Sequence, residues 1–285
     1  MKLPRKYLWQ SLIGLTLGVA LCYSLAGHVQ LNAAALTGLL NHIDPLAVCG
    51  ALLLSVVMLE TGARKWAWLD RHFDGHAVKP HHYYLRHYLW QNWLAQILPG
   101  TVALILGRAL VTHVGAEKNW KRGLRSGLID QLSELFILLA FVPATVWQLF
   151  AHGSWAVWLL LGLGCLLFSG WVGHKLLPRY VLPVVLFWSF LRIGAITLRL
   201  IMGVQVFALA IPAAVVAYAT PVATLTALLP LTPGNLGLAE WGWTYTLQLW
   251  EVPVATGALY VFSFRILVFA LQSLLLLALP IMRGR

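Results

Sequence analysis

Six ionisable residues, Asp130, Glu134, Arg192, Arg199, Glu240 and Arg265, lie inside otherwise apolar runs of a 285-residue chain. Each such charge costs ~2.5 to 3.5 kcal/mol on insertion scales, so it faces either a partner or a wet cavity. Asp130 and Glu134 are one helical turn apart and present two carboxylates on one face, while Arg192 and Arg199, two turns apart, share another. Arg265 falls near the middle of the last apolar run, and Glu240 follows the turn Thr232-Pro233-Gly234-Asn235-Leu236-Gly237. One reading of the set is ion pairing that only ties helices together, Arg265 with Glu240 or Arg192 with Asp130. The other is an anion site. A half-helix beginning at membrane depth exposes unpaired N–H groups and the positive end of its dipole, which suits a phosphate. Two Pro-Gly breaks would supply such ends, and their glycines let backbone approach a ligand closely. The expected substrate-binding residues are therefore Pro99, Gly100, Pro233, Gly234, Asn235 and Gly237, with Arg108 and Arg265 neutralising the anion and Glu240 resetting the site. Asp130, Glu134, Arg192 and Arg199 are assigned to proton coupling or ion pairing.

Composition narrows the classes sharply. Hydrophobic residues make up 60% of the chain and charged ones 10%, with a mean hydropathy of +0.78. That excludes a soluble catalytic domain and leaves length for roughly eight spans of ~20 residues. The net charge of +11 reads as loop charge facing anionic lipid, since no basic domain exists to hold nucleic acid. Cys22, Cys49 and Cys165 all sit in apolar runs and read as packing residues. His72, His76, His81, His82 and His87, with Asp70 and Asp74 nearby, match no closed ligand set, so no metal is expected. Walker-type, His-Glu-x-x-His and Gly-x-Ser-x-Gly motifs are missing from the sequence, and no cofactor is expected.

The elements that must position these residues follow from apolar length and charge. Leu8 to Gly27, behind Lys2, Arg5 and Lys6, reads as an uncleaved first helix with a cytoplasmic N-terminus. Pro45 to Ala63, Leu128 to Phe150, Trp155 to Gly173, Tyr180 to Gly203 and Pro253 to Pro280 are long enough to span. Arg64 to Arg86, with Trp66, Trp68, Tyr83 and Tyr84, reads as an interfacial connector on the inner leaflet. Tyr88 to Gly107 is broken by Pro99-Gly100. Were it to span, Arg108, Lys118, Lys121, Arg122, Arg125, Lys175 and Arg179 would fall on the wrong face, so it is expected to be a re-entrant hairpin. From Leu200 to Ala239 no charge occurs, yet Pro212, Pro221, Pro230 and Pro233 forbid one helix, which predicts a span plus a second re-entrant element. Leu98-Pro99-Gly100 and Thr232-Pro233-Gly234 resemble each other, so an internal repeat with halves 1–175 and 176–285 is one reading and two unrelated Pro-Gly loops the other.

The run Leu229 to Glu240 resembles the signature of the transmembrane domain of lysylphosphatidylglycerol synthase/flippase proteins and their stand-alone relatives. That pattern is Pro-Gly-Gly-x-Gly-x-x-Glu, from which only Asn235 departs. Asn92, Leu98-Pro99-Gly100, Gly107-Arg108 and Asp130 are similar to the family's first half, although no glycine pair precedes Arg108 and Gln131 stands where arginine is usual. The Arg265-bearing last run also resembles the family's closing helix. The resemblance implies handling of a lipid or lipid-linked sugar, without lysyl transfer, because this chain carries no soluble synthase domain. The expected protein is thus all-α and polytopic, a single integral domain of the bacterial inner membrane with both termini cytoplasmic. It is expected to be a flippase for an anionic lipid or lipid-linked sugar. The alternatives are an intramembrane enzyme acting on a lipid phosphate or polyprenyl-linked sugar, with Asp130, Glu134 or Glu240 as base, and a non-catalytic partner of an envelope biosynthesis complex.

Overall fold

Uninterrupted apolar runs become the long helices, and the Pro-Gly breaks become the places where the chain turns. The structure, a computed structural model, describes residues 5–28, 37–39, 41–74, 79–98, 100–114, 120–151, 153–173, 181–228 and 232–278. Its principal helices are α1 (Arg5–His28), α2 (Pro45–Asp74), α3 (His81–Leu94), α4 (Gly100–Val114) and α5 (Trp120–Ala151), followed by α6 (Trp155–Gly173), α7 (Val181–Val206), α8 (Ala213–Ala227), α9 (Leu238–Gln248) and α10 (Val254–Ala278). No strand occurs among the described residues.

Among the described residues four helices are long and apolar enough to cross a membrane: Pro45–Phe73, Trp120–Ala151, Val181–Val206 and Val254–Ala278. The longest, at 32 residues, measures about 48 Å, so its ends extend past a hydrocarbon core of about 30 Å. Shorter apolar helices fill the rest of the bundle, α4 and α8 among them. Leu46, Leu53, Phe150, Leu160 and Leu277 point outward, as large apolar side chains do where the solvent is lipid. The chain is embedded in a membrane.

The α2–α7 pair forms the spine of the bundle, and α5 packs against both. One apolar core joins Met58, Trp66, Tyr84, Tyr88 and Leu104, from α2, α3 and α4, with Ala195 of α7. A second joins Leu200, Val216, Ala219, Leu247 and Tyr260, from α7 to α10. Pro221 withholds an amide inside α8, and the nearby carbonyl of Tyr218 accepts a hydrogen bond from Thr145 Oγ1 of α5 at 3.1 Å.

One expectation changes. The stretch from Arg64 is not a separate interfacial connector, because α2 continues unbroken to Asp74. Its buried positions Met58, Gly62, Lys65, Trp66 and Leu69 keep the helical period going past the end of the apolar run. The span expected within residues 200–239 falls on one of the shorter apolar helices. The chain finishes α7 at Val206, forms the 15-residue α8 and then breaks.

Gly123 and Gly127, four apart on α5, set how closely α4 approaches. A Cβ at 123 would strike the Arg108 carbonyl, and one at 127 would come to 3.0 Å from Ile105 Cα. Small residues at this spacing let membrane helices meet backbone to backbone. Gly127→Leu should cost roughly 1–3 kcal/mol through overpacking, read as a lowered unfolding midpoint in detergent. Gly164→Ala, where no atom lies within 4 Å of the added Cβ, should hold the midpoint or raise it slightly, since alanine favours a helix interior over glycine.

Candidate functional site

The close α4–α5 contact carries Arg108 to Asp130. Its Nη2 meets Asp130 Oδ2, and its Nη1 donates to the Ser126 carbonyl at 3.2 Å. Asp130 Oδ1 pairs with Nζ of Lys65 from α2. Lys65 also donates to Glu134 Oε1 and Ser189 Oγ, each at 2.9 Å. Glu134 Oε1 in turn pairs with Arg192 Nη1 of α7. The ring of Tyr88 is shared by the two guanidiniums, 5.5 Å from Arg108 and 5.4 Å from Arg192, and the Trp66 ring lies 5.1 Å from Arg108. All five charged side chains are buried, and they link α2, α4, α5 and α7.

Within this cluster three cations face two carboxylates. Arg199 adds a fourth buried cation two turns along α7, with Ser55 Oγ 3.5 Å from its Nη1 and the Phe264 ring at 5.7 Å. No carboxylate pairs with Arg199 among the described residues. Lys65, Arg108, Arg192 and Arg199 against Asp130 and Glu134 leave this part of the interior locally positive, an arrangement that favours an anion.

A second polar centre forms where the two broken segments meet. After α3 the chain turns through Ala95 to Leu98, and α4 starts at Gly100. Pro99 lies outside the described residues. The other turn runs through a short 3-10 segment, Pro233–Asn235. Gly234 (φ 59°), Asn235 (φ 53°) and Gly237 (φ 80°) adopt left-handed backbone there. A Cβ on Gly234 would strike the Gln96 carbonyl, so the tips touch backbone to backbone. The Asn235 amide sits beside Gly100, and Thr101 Oγ1 donates to the Leu228 carbonyl at 3.1 Å.

Glu240 and Arg265 stand at this junction. Glu240 lies in the first turn of α9, and its Oε2 accepts the Gly237 N–H at 2.7 Å, which caps the helix and suits the positive end of its dipole. Its Oε1 pairs with Arg265 Nε at 2.7 Å, and Arg265 Nη2 donates to the Gly234 carbonyl at 2.6 Å. Arg265 Nη1, Thr232 Oγ1 and Thr244 Oγ1 are buried with no hydrogen-bond partner, so the junction has donor capacity beyond its own contacts. The first helix closes this side, since Trp241 Nε1 donates to the Leu21 carbonyl at 2.9 Å.

The structure thus gathers Gly100, Gly234, Asn235, Gly237, Glu240 and Arg265 at one junction, with the backbone of Pro233 in the same turn. Arg108 belongs instead to the cluster with Asp130, Glu134 and Arg192, and Arg199 stands apart from the carboxylates. Lys65, Tyr88, Trp66 and Ser189 were not among the sequence-level candidates. Lys65 was readable in principle, since it falls in helical phase with Met58, Gly62 and Leu69. One turn along α5 from Glu134, Ile137 and Leu138 line an apolar cavity of about 250 Å³ shared with Phe141, Trp158, Ile193 and Pro221. Among the described residues no group of three His, Cys, Asp or Glu is placed to hold a metal ion. No family model matches the chain, and no curated protein matches it.

Asp130 answers two buried cations, so Asp130→Asn should cost roughly 3–5 kcal/mol, read as a large fall in the unfolding midpoint. Lys65→Met added to it should recover part of that loss. At the tip, Asn235→Gly should be tolerated, whereas Asn235→Val should cost roughly 1–2 kcal/mol by forcing a branched residue to positive φ.

Proposed function

We propose that the chain is a transporter of an anionic lipid or lipid-linked sugar, taking the headgroup past the junction of the two tips while the acyl chains stay in the bilayer. The observation that carries this reading is the tip-to-tip contact, where Arg265 holds both Glu240 and the Gly234 carbonyl and keeps one buried donor unspent. Interrupted helix pairs meeting near the middle of a bundle are the arrangement transporters use for binding sites. In this reading the pairs 81–114 and 213–248 are re-entrant hairpins, and α1 and α6 cross beside the four long helices, which makes six crossings.

The chemistry follows from the pairing. An arriving phosphate offers Arg265 a second bidentate acceptor and competes with Glu240. Protonation of Glu240 would release the guanidinium, and reionisation would reclaim it, which couples headgroup movement to a proton. The excess positive charge of Arg108, Lys65, Arg192 and Arg199 lowers the cost of bringing an anion inside. The apolar cavity beside Ile137 and Leu138 offers room for a tail next to that charge. The motif at Pro233 to Glu240 supports membership in the lysylphosphatidylglycerol synthase/flippase transmembrane family. The loop charge supports a bacterial inner membrane with both termini cytoplasmic. An intramembrane enzyme has less support, because Asp130, Glu134 and Glu240 are each held by a cation.

The test is movement of a labelled phosphatidylglycerol between leaflets of proteoliposomes. Glu240→Gln with Arg265→Gln removes both charges together and so avoids stranding one of them. Transfer should fall on the order of tenfold or more in that double variant. Transfer at the parent rate would remove the junction from the mechanism.

A further inference from the structure

Away from both polar centres, at the end of the bundle where α2 finishes and α3 and α7 begin, a cleft of about 340 Å³ opens. One wall is a stripe of α2. Arg64, Trp68 and Arg71 recur at i, i+4 and i+7 and so share a face. Lys79 and His81, at the start of α3, form a second wall, and Trp188 of α7 forms the third. Trp68 is stacked on His72 with ring centroids 5.3 Å apart, nearly parallel, which restrains its ring.

The charge of this cleft is one-sided. Glu60 engages Arg64 Nε at 2.6 Å and His81 Nε2 at 2.8 Å. Arg71 and Lys79 are exposed, and no carboxylate pairs with either among the described residues. The two indoles, each half-buried, have the amphipathic character that settles at the boundary between headgroups and hydrocarbon. A basic pocket between membrane helices with aromatic walls matches one chemistry, a phosphate ester attached to an apolar body.

We propose that this cleft binds the phosphodiester of an anionic phospholipid from the leaflet it faces. Arg71 and Lys79 contact the phosphate oxygens, and Trp68 and Trp188 flank the glycerol backbone. The site does not depend on the transport reading, because a lipid held here need not cross the bilayer. A phospholipid fits better than a free phosphate, since two indole faces and Ala67 make up much of the wall.

The experiment is native mass spectrometry of the full chain in detergent, titrated with dioctanoyl phosphatidylglycerol, with dioctanoyl phosphatidylcholine and sodium phosphate as separate arms. A saturable phosphatidylglycerol adduct is expected, and Arg71→Gln with Lys79→Gln should weaken it by about tenfold or more. Arg86→Gln with Lys121→Gln, which removes the same charge from exposed positions outside the cleft, should leave it unchanged. Both variants replace exposed residues, so their unfolding midpoints should match the parent. Equal weakening by the two double variants, or none in the first, would overturn the site. Displacement of the lipid by sodium phosphate at the same concentration would overturn the lipid assignment in favour of a soluble anion.

Discussion

A charge moved into a low-dielectric interior must bring its counter-charge with it, and Asp130 is where this protein meets that constraint. Its two oxygens answer Lys65 of α2 and Arg108 of α4, and Glu134 one turn away answers Lys65 again and Arg192 of α7. Four helices are thereby fixed relative to one another by groups that cannot be separated cheaply. The aromatic rings complete the arrangement, since Tyr88 and Trp66 cover faces of the guanidiniums that would otherwise meet bare hydrocarbon.

Backbone contact is the condition for those charges to meet. Gly123 and Gly127 admit α4 close enough for Arg108 to reach α5, and Gly62 leaves room for the Tyr88 ring. Ridge-to-ridge packing of large residues would hold the helices too far apart for a guanidinium and a carboxylate to pair without solvent. The same economy of side-chain bulk governs the tips, where Gly234 meets the Gln96 carbonyl and Gly237 packs against α1.

The junction and the cluster divide the polar work of the interior. At the junction, Arg265 and Glu240 form a pair that an incoming anion or proton can rearrange, because Arg265 is partly exposed and Glu240 has that one cation alone among the described residues. In the cluster, each acid is shared by two cations and every charged group is buried. One centre is suited to exchange and the other to holding the bundle while exchange occurs.

Local pattern was enough to locate most of the helices and both breaks, because apolar length and a proline's missing amide act within a few residues. Trp155–Gly173 was read with the bounds the structure gives it. The three left-handed positions at 234, 235 and 237 also fit their residue types, asparagine being a side chain that tolerates positive φ. The continuation of α2 to Asp74 was missed because the apolar run ends near Arg64, although the helical period does not. Which cation meets which acid was decided only by tertiary structure. Arg192 turned to Glu134 rather than Asp130, Arg108 left the tips for the cluster, and Lys65, read as part of a surface connector, became a buried bridge. A sequence records that charges are present and which helix face they share, but pairing energy depends on separation in space, and that distance is set by how closely the helices pack.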